Sequence, residues 1–449
     1  MQIIIGVLLL CTFLGMIIYS LKGGNLMLGI LVMAILWTFL PLLGNRLVTD
    51  PAFIEANQEL IETPIMTALT KIFQTSPENW GKVLVTFIFG AWFGRVMLDT
   101  GIASSIIRKT VELGGDKPGL TAMLLYIVTA AIFSSMFGAG AVVAIGIIVL
   151  PILLSLGVPK ILALVSFMFS VGAGFYINPV GFAQYQVYYL DGAGNNTVFY
   201  DSAYLRWGFT ALGIQLVIAI LITLILMRKK PSHAWSAQSS TQEEPTVVPG
   251  IALITPFLPL ILTIVCKMPI LLSFLLSSFY AMFTCKRMRT YQSTVNMFAR
   301  TFFDGVVDTA PLVGISALIP MFNAASSFCV PYFQAILGNI VPASTLLICI
   351  VFMFAAPLGL FRGPLTLAGA GTATLGILKG LGFTNMFLFP LMYAPTVTMN
   401  ISSCITQSWI VWGISYTKVS GRDYLKKTIP AGWLVCVILA AVTYMMFGR

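Results

Sequence analysis

Three kinds of side chain in this 449-residue sequence can do chemistry, and each lies inside or beside a long apolar run. The first is Arg362, flanked by Gly363 and Pro364. A guanidinium at a turn leading into a helix suits a carboxylate, through two parallel hydrogen bonds and the positive end of the helix dipole. An arginine that snorkels or caps carbonyls is the competing reading. The second kind is acidic: Asp304 and Asp308 lie one helical turn apart, Arg300 lies one turn earlier, and Arg95 precedes Asp99 by four residues. Carboxylates at membrane depth are candidate proton carriers, which makes Asp308, Asp304 and Asp99 the candidate coupling residues. Ordinary i,i+4 pairs, Arg300 with Asp304 and Arg95 with Asp99, are the structural alternative. The third kind is polar and neutral. Asn178 and Gln184 bracket Pro179 and Gly181, while Thr398, Asn400, Ser402, Ser403 and Gln407 follow Pro395. With backbone N–H groups freed at Gly138, Gly140 and Gly363, these can hydrogen-bond a small polar molecule; proline kinks whose polar groups are satisfied by neighbours are the bland alternative.

Other chemistry is excluded by the same residues. The single histidine, His233, lies in the longest polar stretch, so no His-based metal site and no Ser-His-Asp triad is available in the apolar runs. Cys11, Cys266, Cys285, Cys329, Cys349, Cys404 and Cys436 lie in or beside apolar segments without CxxC spacing and read as small buried side chains. The expectation is a non-enzyme with no catalytic residue, no resident cofactor and no metal.

The elements that must position these residues follow from composition. Hydrophobic residues make up 58% of the chain and charged ones 9%, against about 25% charged in a soluble domain. Apolar runs recur at about 2–20, 25–44, 82–99, 119–156, 160–189, 205–227, 251–266, 269–285, 300–322, 343–378, 384–416 and 429–447. Most are of spanning length or longer, so the fold class is an all-α polytopic membrane protein with about 10–12 membrane segments. The net charge of +10 belongs to loops that follow the positive-inside rule and does not imply nucleic acid.

The polar stretch after residue 227 divides the chain into a first membrane repeat (1–227), a cytoplasmic linker (228–250) and a second repeat (251–449). A shift of 224 residues lays Gly90 on Gly314, Asp99 on Asn323 and Gly114 on Gly338; a shift of 225 lays Gly138 on Gly363, Gly146 on Gly371 and Leu150 on Leu375. With the linker inside, sixteen of the 25 Lys and Arg face the cytoplasm and seven face out, leaving Arg95 and Arg362 within the membrane. That balance requires 119–156 and 343–378 to be re-entrant hairpins and the two halves to be inverted. The glycines of SSMFGAGAVVAIGIIVLP (134–151) and APLGLFRGPLTLAGAGTATLGIL (356–378) suit hairpin tips, with small-residue helix packing as the alternative. Each hairpin is followed by a broken helix, at Asn178-Pro179 and around Asn400. Phe137 matches Arg362 across the halves, so the site is expected to be asymmetric.

Over FGAWFGRVMLDTGIASSIIRKTVELGGDKP (89–118), the hairpin that follows and ILLSLGVPK (152–160), the chain resembles the ion transporter superfamily, nearest to its citrate and gluconate permease-type proton symporters. The resemblance lies in a helix ending in a D-[TS]-G turn, a short amphipathic segment, a hairpin and a broken helix. It implies organic-anion symport, scaffold and substrate-carrying regions in each half, and a homodimer. The first hairpin, FGAGAVVA (137–144), departs from the Asp- and Thr-rich hairpin of the metal–citrate branch. The SNT-type motifs of sodium-coupled dicarboxylate carriers are missing as well. The resulting expectation is a secondary transporter in the cytoplasmic (inner) membrane. It would carry a small organic anion, such as a sugar acid, citrate or a dicarboxylate, with protons, or with sodium as the other coupling ion. A cation/proton antiporter of the same plan, with Asp308 or Asp304 as ion ligand, is the alternative. The expected partners are the anion, membrane lipid and a second copy of the chain.

Overall fold

The computed structural model describes residues 1–22, 24–115, 117–189, 195–227, 248–337 and 344–448. Among these the chain is helical throughout, with no strand. Among the described residues six helical stretches are long and apolar enough to cross a membrane: Gln2–Tyr19, Met27–Leu47, Ile65–Asp99, Ser202–Ile225, Thr345–Arg362 and Gly421–Phe447. A bent pair, Lys160–Phe175 with Pro179–Tyr189, makes a seventh if counted as one span. Large apolar side chains such as Leu14, Phe209, Val217, Leu221 and Leu434 stand exposed on these helices, as they do where the surrounding solvent is hydrocarbon and each backbone group must be bonded within its own helix. The chain is an all-α, multi-pass membrane protein.

The elements follow one another in two stretches of chain, before and after the residues 228–247. In the first half α1 (Gln2–Leu21) packs on α2 (Leu26–Leu47), and after short helices between 51 and 75 come α3 (Ser76–Asp99) and α4 (Ile102–Gly114). Then follow α5 (Pro118–Phe133) and α6 (Ala139–Ser155), the broken pair α7 (Lys160–Phe175) and α8 (Pro179–Gln186), and α9 (Ser202–Met227). In the second half short helices over 250–264 and α10 (Ile270–Thr284) precede α11 (Tyr291–Leu337) and α12 (Thr345–Ala355). The chain continues through α13 (Gly371–Gly380), α14 (Asn385–Pro395), α15 (Ser408–Thr417) and α16 (Gly421–Phe447).

The halves differ where a glycine differs. α3 stops because Gly101 takes φ 76°, a left-handed turn that side chains resist. The 224-residue shift puts Ala325 at that place, and α11 runs straight through it for 47 residues. The apolar run expected at 300–322 is therefore the middle of a helix about 70 Å long at 1.5 Å per residue.

Both expected hairpins are pairs of short helices, not single straight ones, and their arms diverge. α5 packs on α4 and α7, whereas α6 packs on α7 and α15; α12 packs on α16, whereas α13 packs on α11. The first arm of the second hairpin, Thr345–Arg362, reaches the length of a span. The halves interlock, since α11 lies along α3 and α2, and α16 along α9. The linker expected at 228–250, with His233, lies outside the described residues up to 247.

Candidate functional site

The first break fits its sequence. Pro179 starts α8 and disfavours helical geometry at Asn178, and the two half-helices meet at 69°. Asn178 then does two things at once. Its side-chain oxygen accepts from the N–H groups of Val180 (2.9 Å) and Gly181 (3.1 Å), capping α8. Its amide nitrogen donates to the carbonyls of Phe133 and Met136, both at 2.9 Å, at the tip of the first hairpin. Every hydrogen-bonding position of this buried amide is used by the backbone, so its part in the site is to hold the tip and not to meet a ligand.

The second hairpin turns where the Arg-Gly-Pro sequence suggests, but differently in detail. α12 tightens into a 3-10 turn, Ala356–Arg362, and Phe361 and Arg362 both take left-handed conformations (φ 52° and 58°). Two consecutive side-chain-bearing residues in that region are strained and need support from around them. Support comes from the loop 363–370, which closes back on itself: Ala370 N–H donates to the Arg362 carbonyl at 2.9 Å. The Leu367 N–H donates to Thr396 Oγ at 2.9 Å, pinning the loop to the π-helical turn Thr396–Ile401. Arg362 was expected beside the N-terminus of the helix it leads into. That helix, α13, starts only at Gly371, and Arg362 instead donates to the Ala368 carbonyl at 3.2 Å.

Arg362 lines a cavity of about 150 Å³ between the halves, together with Gly138, Gln184, Asp308 and Gln407. These five residues were singled out from sequence, and the tertiary fold brings them to one space. Gln184 and Gln407 make no side-chain hydrogen bond among the described residues, so their amides remain available to a ligand. Ser408 and Trp409, the first two residues of α15, also line the cavity. N–H groups in the first turn of a helix have no partner inside it, which turns this end into an anion-binding surface. Phe137, Phe175 and Trp409 supply apolar walls. Phe137 stacks on Phe87, with ring centroids 5.4 Å apart.

The lining also includes a carboxylate, that of Asp308. Asp308 accepts two hydrogen bonds of 2.6 Å from Arg95, one from Nε and one from the terminal nitrogen. The same carboxylate rests on the first turn of α6: a Cβ on Gly140 would lie 2.6 and 2.8 Å from its two oxygens. Gly140 is therefore required there because nothing larger leaves room for Asp308. Both expected i,i+4 pairs are overturned. Arg95 pairs with Asp308 and Arg300 with Asp99, each between α3 and α11, so the charges connect the halves in place of neighbours along one helix. Asp304 lies within electrostatic reach of Arg95 and has no ion pair of its own among the described residues. Sequence spacing gave no signal for this crossing, because the partners are more than 200 residues apart.

The remaining polar candidates lie outside the cavity. Thr398 donates to Gln215 Oε at 2.7 Å and lies 2.6 Å from the Tyr176 hydroxyl. Ser402 accepts from Gln215 at 3.1 Å, and Ser403 donates to the Thr398 carbonyl at 2.8 Å. Gln215, on α9, was missed from sequence; a lone amide inside an apolar run was its only signal. Asn400 is fully buried, and neither of its amide atoms has a partner among the described residues. Gly363 serves the turn, its N–H donating to the Leu360 carbonyl at 2.9 Å.

No family model matches the chain, and no curated protein matches it. Among solved structures it is similar to the YdaH transporter of Alcanivorax borkumensis, with a TM-score of 0.61 and 13% identity over 93% of this chain and 98% of that one. The likeness does not single out the citrate and gluconate permease type that the sequence resembles. At this identity it is a likeness of architecture over nearly the whole of both chains, and it speaks for a shared fold alone.

Proposed function

We propose that the protein is a secondary transporter that carries a small organic anion by alternating access, with Asp308 as the coupling carboxylate. The observation that carries the reading is the charge of the cavity. Arg95 neutralises Asp308, while Arg362 has no carboxylate partner among the described residues and lines the same cavity as Ser408 and Trp409. An unpaired cation at that depth is costly unless an anion joins it. Arg362, the N–H groups of Ser408 and Trp409, and the free amides of Gln184 and Gln407 together suit one carboxylate.

Coupling follows from the Arg95–Asp308 pair. A proton on Asp308 would weaken both hydrogen bonds to Arg95 and loosen the tie between α3, α11 and the tip of α6, the elements that a rocking motion must separate. The cation/proton antiporter reading is weaker, because both oxygens of Asp308 are already occupied by Arg95. Inverted halves, a homodimer, an inner-membrane location and a cytoplasmic linker belong to the same proposal; the near-constant sequence shift of 224 to 225 residues and the basic loops support the inversion and the orientation. Sodium remains the other coupling ion to be tested.

Purified protein in liposomes provides the test. Carboxylate-dependent proton uptake that disappears in Arg362→Ala supports the reading. Cation-dependent proton efflux, or conductance with no uphill accumulation, would replace it with an antiporter or a channel.

A further inference from the structure

The first residues of α15 line the cavity between the halves, and the residues after its last turn line another recess, of about 420 Å³. Lys160 of α7, Lys418 and Ser420 of the turn between α15 and α16, and Asp423, Lys426 and Lys427 of α16 face this space. Four lysines from three elements thus meet one carboxylate. That carboxylate is already engaged, accepting from Ser420 Oγ at 3.1 Å and lying 3.8 Å from Lys426 Nζ. Lys160, Lys418 and Lys427 have no ion pair among the described residues. Lys160 is the first residue of α7, and α16 starts at Gly421, so both helices begin at the recess and add the positive ends of their dipoles to it. Like charges gathered in one place repel, and an anion among them removes that cost.

The surroundings of the recess are those of the membrane surface. The apolar span Gly421–Phe447 begins there. Leu434, seven residues after Lys427 and so on the same face of α16, is 52% exposed, and Val411, seven residues before Lys418 on α15, is exposed to the same degree. Tyr416 stands exposed beside Lys418 and stacks on Trp412, with ring centroids 5.1 Å apart, as aromatic side chains do at headgroup level. A basic recess that gives way to exposed apolar side chains has the outline of a phospholipid, with a charged headgroup at one end and acyl chains below. We infer that the recess binds the headgroup phosphate of an anionic phospholipid through Lys160, Lys418 and Lys427, with the chains lying along α15 and α16. A soluble phosphate meets the same lysines but gains nothing from Val411, Tyr416 and Leu434. A zwitterionic headgroup brings an ammonium group into a field that repels it. With the orientation proposed above, the lipid belongs to the cytoplasmic leaflet; the site does not depend on the anion-transport reading.

The test uses the full chain in a neutral detergent, with dioctanoyl phosphatidylglycerol, dioctanoyl phosphatidylcholine and glycerol 3-phosphate as probes and affinity read by isothermal titration. Phosphatidylglycerol should bind about tenfold tighter than either of the others, and more weakly as salt is raised. Lys418→Gln combined with Lys427→Gln should weaken its binding about tenfold or more. Lys286→Gln combined with Arg289→Gln removes the same charge from another basic loop and should leave the affinity within about twofold of wild type. Lys160→Gln alone should have a smaller effect than the Lys418 and Lys427 pair, and takes its place if that variant misfolds. Equal binding of phosphatidylglycerol and phosphatidylcholine overturns the site, because the headgroup charge then plays no part. An equal loss in both double variants overturns it in favour of the overall charge of the surface. Glycerol 3-phosphate binding as tightly as phosphatidylglycerol makes the ligand a soluble phosphate and overturns the lipid assignment, and no binding of phosphatidylglycerol overturns the site outright.

Discussion

Asn178 and Asn400 each stand where a helix is broken, one in each half of the chain, yet the side chain of the first makes four hydrogen bonds and that of the second makes none among the described residues. Asn178→Ala leaves two hairpin carbonyls and a helix N-terminus without partners, a loss of roughly 2–5 kcal/mol. Asn400→Leu removes an amide that bonds nothing, so stability should stay within about 1 kcal/mol of wild type or rise. Thermal unfolding of the two variants in detergent checks this. A larger loss at Asn400 than at Asn178 would contradict it.

Gly140→Ala puts a methyl group within 3 Å of the Asp308 carboxylate. The first hairpin or the Arg95 pair must give way, and uptake should fall by about tenfold or more while the protein still folds. Gly213→Ala is the control: a Cβ there meets nothing within 4 Å, and uptake should be unchanged.

Arg362→Ala should weaken anion binding about a hundredfold, the worth of two charge-assisted bonds. Arg362→Lys keeps the charge but loses the planar fork, and should fall between that variant and wild type. Gly369→Ala acts from a distance, because its Cβ would sit 2.1 Å from the Arg362 carbonyl. Isothermal titration should show weaker binding for it too, although Gly369 does not line the cavity.

Asp308→Asn should abolish proton-driven accumulation while leaving exchange of labelled for unlabelled anion across the membrane intact. Arg95 is partly exposed, so the loss of its partner is tolerated better than in a dry interior. Accumulation at the wild-type level would move the coupling role to Asp304, Asp99 or sodium.

The sequence by itself determined what is local. Twenty-residue apolar runs make spanning helices, Gly101 ends α3, and Pro179 breaks α7 from α8, because each is a matter of backbone geometry or hydrocarbon length. It also marked Gly138, Gln184, Asp308, Arg362 and Gln407 as polar or bare positions in an apolar setting. Which of these share a space was decided only by the tertiary structure. Asn178 and Thr398 have the same local signal as Gln184 and Gln407, but the first pair spend their hydrogen bonds on a hairpin tip and on Gln215, and the second pair do not. Nor could spacing reveal the ion pairs. Four-residue steps on one helix suggested Arg95 with Asp99 and Arg300 with Asp304, whereas packing α11 along α3 exchanged the partners between halves. A charge in the membrane selects whichever opposite charge the packing of helices brings nearest, and that distance is set by the fold and not by position along the chain.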